Sequence, residues 1–191
     1  MTEVPKEDPV SKEMREKAPK KGLIMINTGN GKGKTTAALG VAMRCVGNKM
    51  KVFVVQFIKG GWKYGELVTA EQLSPYLEIR PMGEGFTWNT KDRERDMELT
   101  EKAWALGEEK MMSGDYGLVI FDEINYVIDY KYLDPQKVVE GLKRKPAMTH
   151  VILTGRNAHP SIVEIADLVT EMQEIKHPFK QGILAQRGIE F

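Results

Sequence analysis

The chain reads as an α/β protein, a mostly parallel sheet covered by helices on both faces. Short runs of β-branched and aliphatic residues alternate with stretches of helical period, the order that parallel strands joined by crossover helices produce. Several of these runs are apolar at every position rather than at every second one, as in strands covered on both sides. The first run leads directly into a glycine-rich turn, TGNGKGKTT from Thr28 to Thr36, which opens the first helical pattern.

Residues 1–21 come before any of this. Pro5, Pro9 and Pro19 stand amid dense charge, so the segment buries too little apolar surface to order itself alone. Residues 10–17 would form about two turns of helix, marginal in water unless docked, so a flexible linker and a conditional helix both remain open. From residue 22 to 191 the chain reads as a single domain. A strand over 23–27 precedes a helix over 34–46 that Gly47 stops, and a second strand covers 52–57. A weaker strand at 77–80 leads to a helix from about 92 to 112, ended by Gly114. The strand at 118–121 is followed by a helix with Asp134 as its cap, Pro135 in its first turn and Pro146 beyond its end. A strand at 151–153, a short helix after Pro160 and a weak strand at 168–172 complete the set. There is no internal repeat and no low-complexity block.

The turn is a nucleotide-phosphate cradle. Gly29, Gly31 and Gly33 let successive backbone N–H groups converge on an anion, and the helix that follows adds the positive end of its dipole. Lys34 would neutralise terminal phosphate charge. Thr35 offers a hydroxyl where a phosphate-bound Mg²⁺ sits, since that ion takes octahedral oxygen coordination with few protein ligands. The match to G-x-x-x-x-G-K-[ST] is imperfect, because Thr28 stands five residues before Gly33. Either Gly29 starts a loop one residue shorter, or Thr28 takes a backbone geometry that favours glycine. A glycine-rich turn with no ligand is the bland alternative, and the order strand, GKGKTT, helix speaks against it. The expected fold is therefore P-loop NTPase-like, of the RecA-like kind.

In such sheets ligands gather at the carboxyl ends of the strands. Those ends hold the phosphate loop, residues 56–60, Asp122-Glu123 and residues 154–157. The run Leu118-Val119-Ile120-Phe121 delivers Asp122 and Glu123 as a second, metal-side motif. One carboxylate can hold Mg²⁺ directly or through water while the other orients a water or a neighbouring hydroxyl. Arg156 follows Thr154-Gly155 and could reach phosphate with its fork geometry, or form a surface salt bridge. Lys59, beside Gly60 and Gly61, is either a second phosphate contact or an ordinary solvated lysine. Between Pro81 and Asn89, Phe86 and Trp88 ride on a loop hinged by Gly83 and Gly85. Such rings want a flat partner or pack back on the core. His150, His159 and His177 lack the spacing of a zinc site.

Composition narrows the class further. With 191 residues, 41% hydrophobic content and three Trp, the chain can bury a sizeable core. A net charge of +1, from 28 basic and 27 acidic residues, argues against a broad nucleic-acid surface. The single cysteine, Cys45, excludes an intrachain disulfide and fits a reducing compartment. No segment reaches the roughly eighteen apolar residues of a membrane span, and the charged start has no signal-peptide stretch. A cytoplasmic location is expected, without membrane or nucleic-acid partners.

The blocks TGNGKGKTTAALG, VVQFIKGGW, GFTWNT, FDEINYVIDYKYL, VILTGRNAH and KHPFKQGILAQRGIEF together resemble the ATP:corrinoid adenosyltransferases of the CobA/BtuR type. They span nearly everything after the tail and include the missing first glycine. The resemblance implies that Co(I) of a reduced corrinoid (cobalamin, cobinamide or cobyrinic acid diamide) attacks the 5′ carbon of ATP and expels triphosphate, in adenosylcobalamin biosynthesis or salvage. So strong a nucleophile needs no general base. The substrate carries the hard chemistry, while the protein positions C5′ and stabilises the leaving charge. Carried across motif by motif, Asn30, Gly31, Lys32, Gly33, Lys34, Thr35 and Thr36 bind phosphate. Lys34, helped by Lys32 or Arg156, holds the leaving triphosphate. Thr35 with Glu123, assisted by Asp122, binds Mg²⁺, with Mn²⁺ a substitute. Phe86 and Trp88 match an aromatic pair facing the corrin, which displaces the lower axial ligand so that a flavoprotein or other electron donor reduces cobalt more readily. The resemblance also implies a homodimer, ATP bound in the reverse sense from typical phosphate-loop enzymes, and a tail that orders over the active site.

Two other readings stand beside this one. An ordinary P-loop NTPase or kinase with another substrate would release ADP rather than triphosphate. A nucleotide-dependent nucleic-acid module would need a basic stripe interleaved with aromatics, which the chain lacks.

Overall fold

The structure, a computed structural model, describes residues 14, 17–60, 64–84 and 93–190. Six strands form one sheet: β1 (Ile24–Thr28), β2 (Val52–Gln56), β3 (Leu77–Pro81), β4 (Leu118–Asp122), β5 (His150–Thr154) and β6 (Leu168–Glu171). Their order is β3-β2-β4-β5-β1-β6, and every pairing is parallel. The helices are α1 (Lys34–Gly47), α2 (Gly65–Gln72), α3 (Arg93–Met112), α4 (Ile124–Asp129), α5 (Pro135–Arg144) and α6 (Pro160–Ile165), with a 3₁₀ turn at Pro178–Gln181.

The doubly apolar runs do what their composition requires. Val52 and Val54 of β2, with Leu118 and Ile120 of β4, pack on one face under Ala38 and Ala42 of α1 and Ala70 of α2. Phe53 and Val55, with Val119 and Phe121, pack on the other against Ala103, Trp104 and Met111 of α3 and residues of α5 and α6. Trp104 lies fully buried and stacked on Phe121 with ring centroids 5.2 Å apart, and removing it would cost about 3–5 kcal/mol. Strand β6, by contrast, is exposed along its whole length at the sheet edge, which is why its sequence signal is weak.

Several boundaries differ from expectation by one residue, as helix and strand ends commonly do. Helix α1 runs through Gly47, and Asn48 caps it, its side chain donating to the Arg44 carbonyl at 2.8 Å. Asp134 does cap α5, accepting from the Gln136 N–H at 2.9 Å. Two helices were not foreseen. Helix α2 buries only Ala70, so its sequence carries little amphipathic signal. Helix α4, INYVID, is rich in β-branched residues and follows a strand; the chain turns into it through Glu123 at φ 68°, a reversal that local propensity does not announce.

Register then builds the site. Gln56 pairs with Asp122 across β2 and β4, and Asn27 pairs with Thr154 across β1 and β5. Because Phe121 pairs with Leu153, Asp122 and Thr154 come next in line on β4 and β5. Four polar residues therefore form one row at the carboxyl ends of four adjacent strands, with the phosphate loop rising from β1 beside them.

Candidate active site at the carboxyl edge of the sheet

The loop takes the shorter of its two possible forms. Thr28 is the last residue of β1, and the left-handed conformation begins at Gly29, with φ 91°. The strip after β6 presses directly on the loop. The Gly31 N–H donates to the Met172 carbonyl at 2.6 Å, and the Met172 N–H donates to the Thr28 carbonyl at 2.8 Å. A Cβ on Gly29 would stand 2.4 Å from the Met172 carbonyl oxygen, and one on Gly31 2.6 Å from that of Gln173. Both are backbone atoms that cannot swing aside, so these positions require glycine for close approach.

Lys34 is buried and folded onto its own loop, its ammonium donating to the carbonyls of Gly29 at 2.9 Å and Gly31 at 2.7 Å. Burial lowers its pKa; Glu123 opposes this, while Arg156 and Lys32 add to it. A cation so placed, ringed by other cations and held by neutral carbonyls, suits an incoming polyanion. The Asn27 side chain secures the same turn by donating to the Lys34 carbonyl at 3.1 Å.

The two carboxylates play different parts. Asp122 is fully buried and saturated: Oδ1 accepts from the Thr35 hydroxyl at 2.7 Å and from the Thr154 hydroxyl at 2.8 Å, and Oδ2 accepts from the Gln56 amide at 3.2 Å. Glu123 is the available one, for its Oε2 is buried without a hydrogen-bond partner. Burial first, and the Asp122 charge second, push its pKa up to about 7 against the pull of Lys34, Lys59 and Arg156. A desolvated carboxylate with a free oxygen, next to a hydroxyl whose proton points elsewhere, fits a hard divalent cation. Among the described residues no group of three or more His, Cys, Asp or Glu gathers as a metal cage. Such a cation would complete its shell with water and phosphate.

The remaining candidates surround this centre. Arg156 is exposed and, with Asn30 and Lys180 and the carboxylates of Glu171 and Glu174, lines a cleft of about 540 Å³ in front of the loop. Among the described residues it has no ion-pair partner. Lys59 is not a freely solvated lysine. It pairs with Glu66 of α2 at 2.6 Å and lies 4.8 Å from the Tyr64 ring centroid. Burial draws its pKa down, but Asp122, Glu66 and Glu123 together hold it above the ordinary value. Lys32 turns away from the loop to Glu190, 2.5 Å off. Thr36 is exposed in the first turn of α1. Phe86 and Trp88 lie outside the described residues, as does most of the 1–21 tail. The three histidines each serve the backbone, Nδ1 accepting from Leu23, Ser161 and Phe179 N–H groups respectively.

Sequence reasoning placed Gln56 and Thr154 at strand ends but assigned them no role, and it passed over Met172 and Glu190. Only the strand pairing and the returning C-terminal strip bring these residues to the loop.

A parallel sheet with a phosphate loop on one strand and a buried Asp-Glu pair at the end of another, non-adjacent strand defines a P-loop-like nucleotide-binding α/β protein. Within that class the chain belongs to a particular family. Residues 20–191 match the family of the ATP:corrinoid adenosyltransferase BtuR/CobO/CobP. A corrinoid adenosyltransferase of a Sinorhizobium species is 49% identical over 180 residues, 93% of this chain and 84% of the relative. That of Pseudomonas aeruginosa is 44% identical over 171 residues, covering 90% and 84%. The corrinoid adenosyltransferase CobA of Salmonella typhimurium is 42% identical over 172 residues, covering 90% and 86%. The protein is a transferase of this type, and among its described residues no helix is long and apolar enough to cross a membrane.

Proposed function

We propose that this protein transfers the 5′-deoxyadenosyl group of ATP to the Co(I) of a corrinoid and releases triphosphate, in making or salvaging adenosylcobalamin. The match of the corrinoid adenosyltransferase family over residues 20–191, which takes in the shortened loop and the Asp122-Glu123 pair, is the observation that carries this reading. Both electrons of the new cobalt–carbon bond come from Co(I), and triphosphate leaves with the pair of the broken C5′–oxygen bond. The chain's task is to hold the leaving group: Lys34 exchanges the Gly29 and Gly31 carbonyls for phosphate oxygens, and Lys32, Arg156 and Lys59 supply further positive charge. Thr35 and Glu123 would hold Mg²⁺, or Mn²⁺ in its place, and Asp122 would act through Thr35 by accepting the hydrogen bond of its hydroxyl, which leaves the Thr35 oxygen lone pairs for the ion. Bound there, the ion neutralises phosphate charge.

The rest of the reading extends from the family resemblance. Residues 22–191 act as one domain, with the 1–21 tail ordering over the site. Phe86 and Trp88 face the corrin and favour the reducible, four-coordinate state of cobalt. The enzyme works in the cytoplasm as a homodimer, with a flavoprotein or another donor supplying the electron.

One observation favours a second reading. A buried carboxylate whose Oε2 has no hydrogen-bond partner could equally orient a water, as an ordinary NTPase requires. The two readings part at the products. An anaerobic assay with Mg²⁺, ATP and chemically reduced cob(I)alamin should yield a light-sensitive cobalt–carbon bond together with triphosphate. ADP and phosphate with an unalkylated corrinoid would overturn the transfer in favour of hydrolysis.

A further inference from the structure

We infer that Thr154, at the end of β5, is the positioning residue that sets the carboxylate of Glu123 for its metal. This inference rests on the nucleotide and metal part of the reading above and not on the corrinoid. One hydroxyl serves two consecutive residues of the neighbouring strand. It donates to Asp122 Oδ1 at 2.8 Å and accepts from the Glu123 N–H at 2.8 Å. Thr154 is fully buried, so water cannot take over either bond.

The two bonds act where the chain changes direction. Asp122 ends β4 in extended backbone, Glu123 stands at φ 68°, and α4 begins at Ile124. A left-handed glutamate is uncommon and persists only where its surroundings over-determine it. Thr154 is the side chain that fastens it, drawing the Glu123 N–H toward β5. Gln56 grips the opposite oxygen of Asp122 from β2, so the aspartate cannot rotate to follow. With the backbone pinned on both sides, Glu123 Oε2 is left inside the site without a partner. The same Asp122 oxygen that accepts from Thr154 also accepts from Thr35. A single hydroxyl on β5 thus sets both groups that would meet the cation, the Thr35 oxygen through Asp122 and the Glu123 carboxylate through its backbone.

The test separates metal binding from nucleotide binding. Isothermal titration measures the affinity of the full-length protein for ATP in EDTA and for ATP with Mn²⁺; the ratio is the gain that the metal brings. In Thr154→Val, which keeps the shape and removes the hydroxyl, ATP affinity in EDTA should stay within about twofold while the metal gain falls about tenfold or more, since a buried N–H loses its only acceptor. Thr154→Ser should restore the gain. Should Thr154→Val fail to fold, Thr154→Cys, with its weakly bonding thiol, reads the same ratio. An unchanged gain, or equal losses with and without metal, overturns the role of Thr154. Absence of any gain in the wild-type protein would instead remove the metal assignment itself, and Thr154 with it.

Discussion

Lys32 in the phosphate loop and Glu190 form an ion pair at 2.5 Å, so the turn at residues 187–190 closes onto that loop. The pair is partly exposed, and such pairs contribute about 0.2–1 kcal/mol. A triphosphate must share Lys32 with this carboxylate. Glu190→Gln should therefore tighten ATP binding by about two- to fivefold at low salt, with the difference fading as ionic strength rises. Titration calorimetry at two salt concentrations measures it, and equal affinities would show that nucleotide leaves the pair intact.

Lys34 should matter far more. Its ammonium is buried within the loop, and no neighbouring cation can be moved into its place without rebuilding the turn. Lys34→Ala should lower kcat by about a hundredfold or more, the scale set by losing one preorganised charge on a leaving oxyanion. A rapid-quench assay of triphosphate release at saturating ATP is the measurement. Turnover within a factor of a few would remove Lys34 from the chemistry.

Glu123 makes the metal-free protein sensitive to pH. Its carboxyl is raised from an ordinary 4.5 to about 7, chiefly by burial and then by Asp122. The protonated form is the one the fold prefers, so its contribution is fully present below about pH 4.5 and is lost as pH rises through 7. Removing the charge with Glu123→Gln should thus leave stability near that of wild type at pH 5 and raise it by on the order of 1–3 kcal/mol at pH 8.5. Urea unfolding of both proteins at the two pH values tests this; a difference that does not change with pH would mean an ordinary carboxyl. The corollary concerns the cation, which needs the ionised form. Metal binding a pH unit or more below 7 should release close to one proton and weaken about tenfold per further pH unit.

Trp88→Ala and Phe86→Ala should separate reduction from transfer. Starting from Co(II) with a reductant, both variants should lose most of their rate, because on the role proposed for these rings their loss leaves the axial ligand in place and cobalt hard to reduce. Supplied with chemically prepared Co(I), they should retain most of it. Equal losses in the two assays would contradict the assignment.

Much of this protein was written locally. The phosphate loop could be read because its glycines, Lys34 and Thr35 are consecutive, and the helix-dipole and backbone-amide chemistry they serve acts over a few residues. The strands β2 and β4 could be read because burial on both faces leaves no polar position before the last residue of each, Gln56 and Asp122. The cap at Asp134 was legible because capping is a contact between near neighbours. The Asp122-Glu123 pair was visible as a pair, though which carboxylate is saturated and which is free was not.

The tertiary structure decided what depends on pairing across the sheet. Whether Thr28 or Gly29 begins the loop was settled by the strip at Met172 and Gln173, about 140 residues further along the chain, whose carbonyls leave no room for a side chain. The division of labour between Asp122 and Glu123 came from Gln56 on β2, Thr35 on α1 and Thr154 on β5, three hydrogen-bonding groups with no sequence proximity to one another. Propensity and spacing act over one or two turns of chain, whereas strand register sets contacts between residues a hundred positions apart. That is why the sequence by itself determined the fold class, the loop and the list of candidate residues, while only the folded sheet decided which of them are free to meet a ligand.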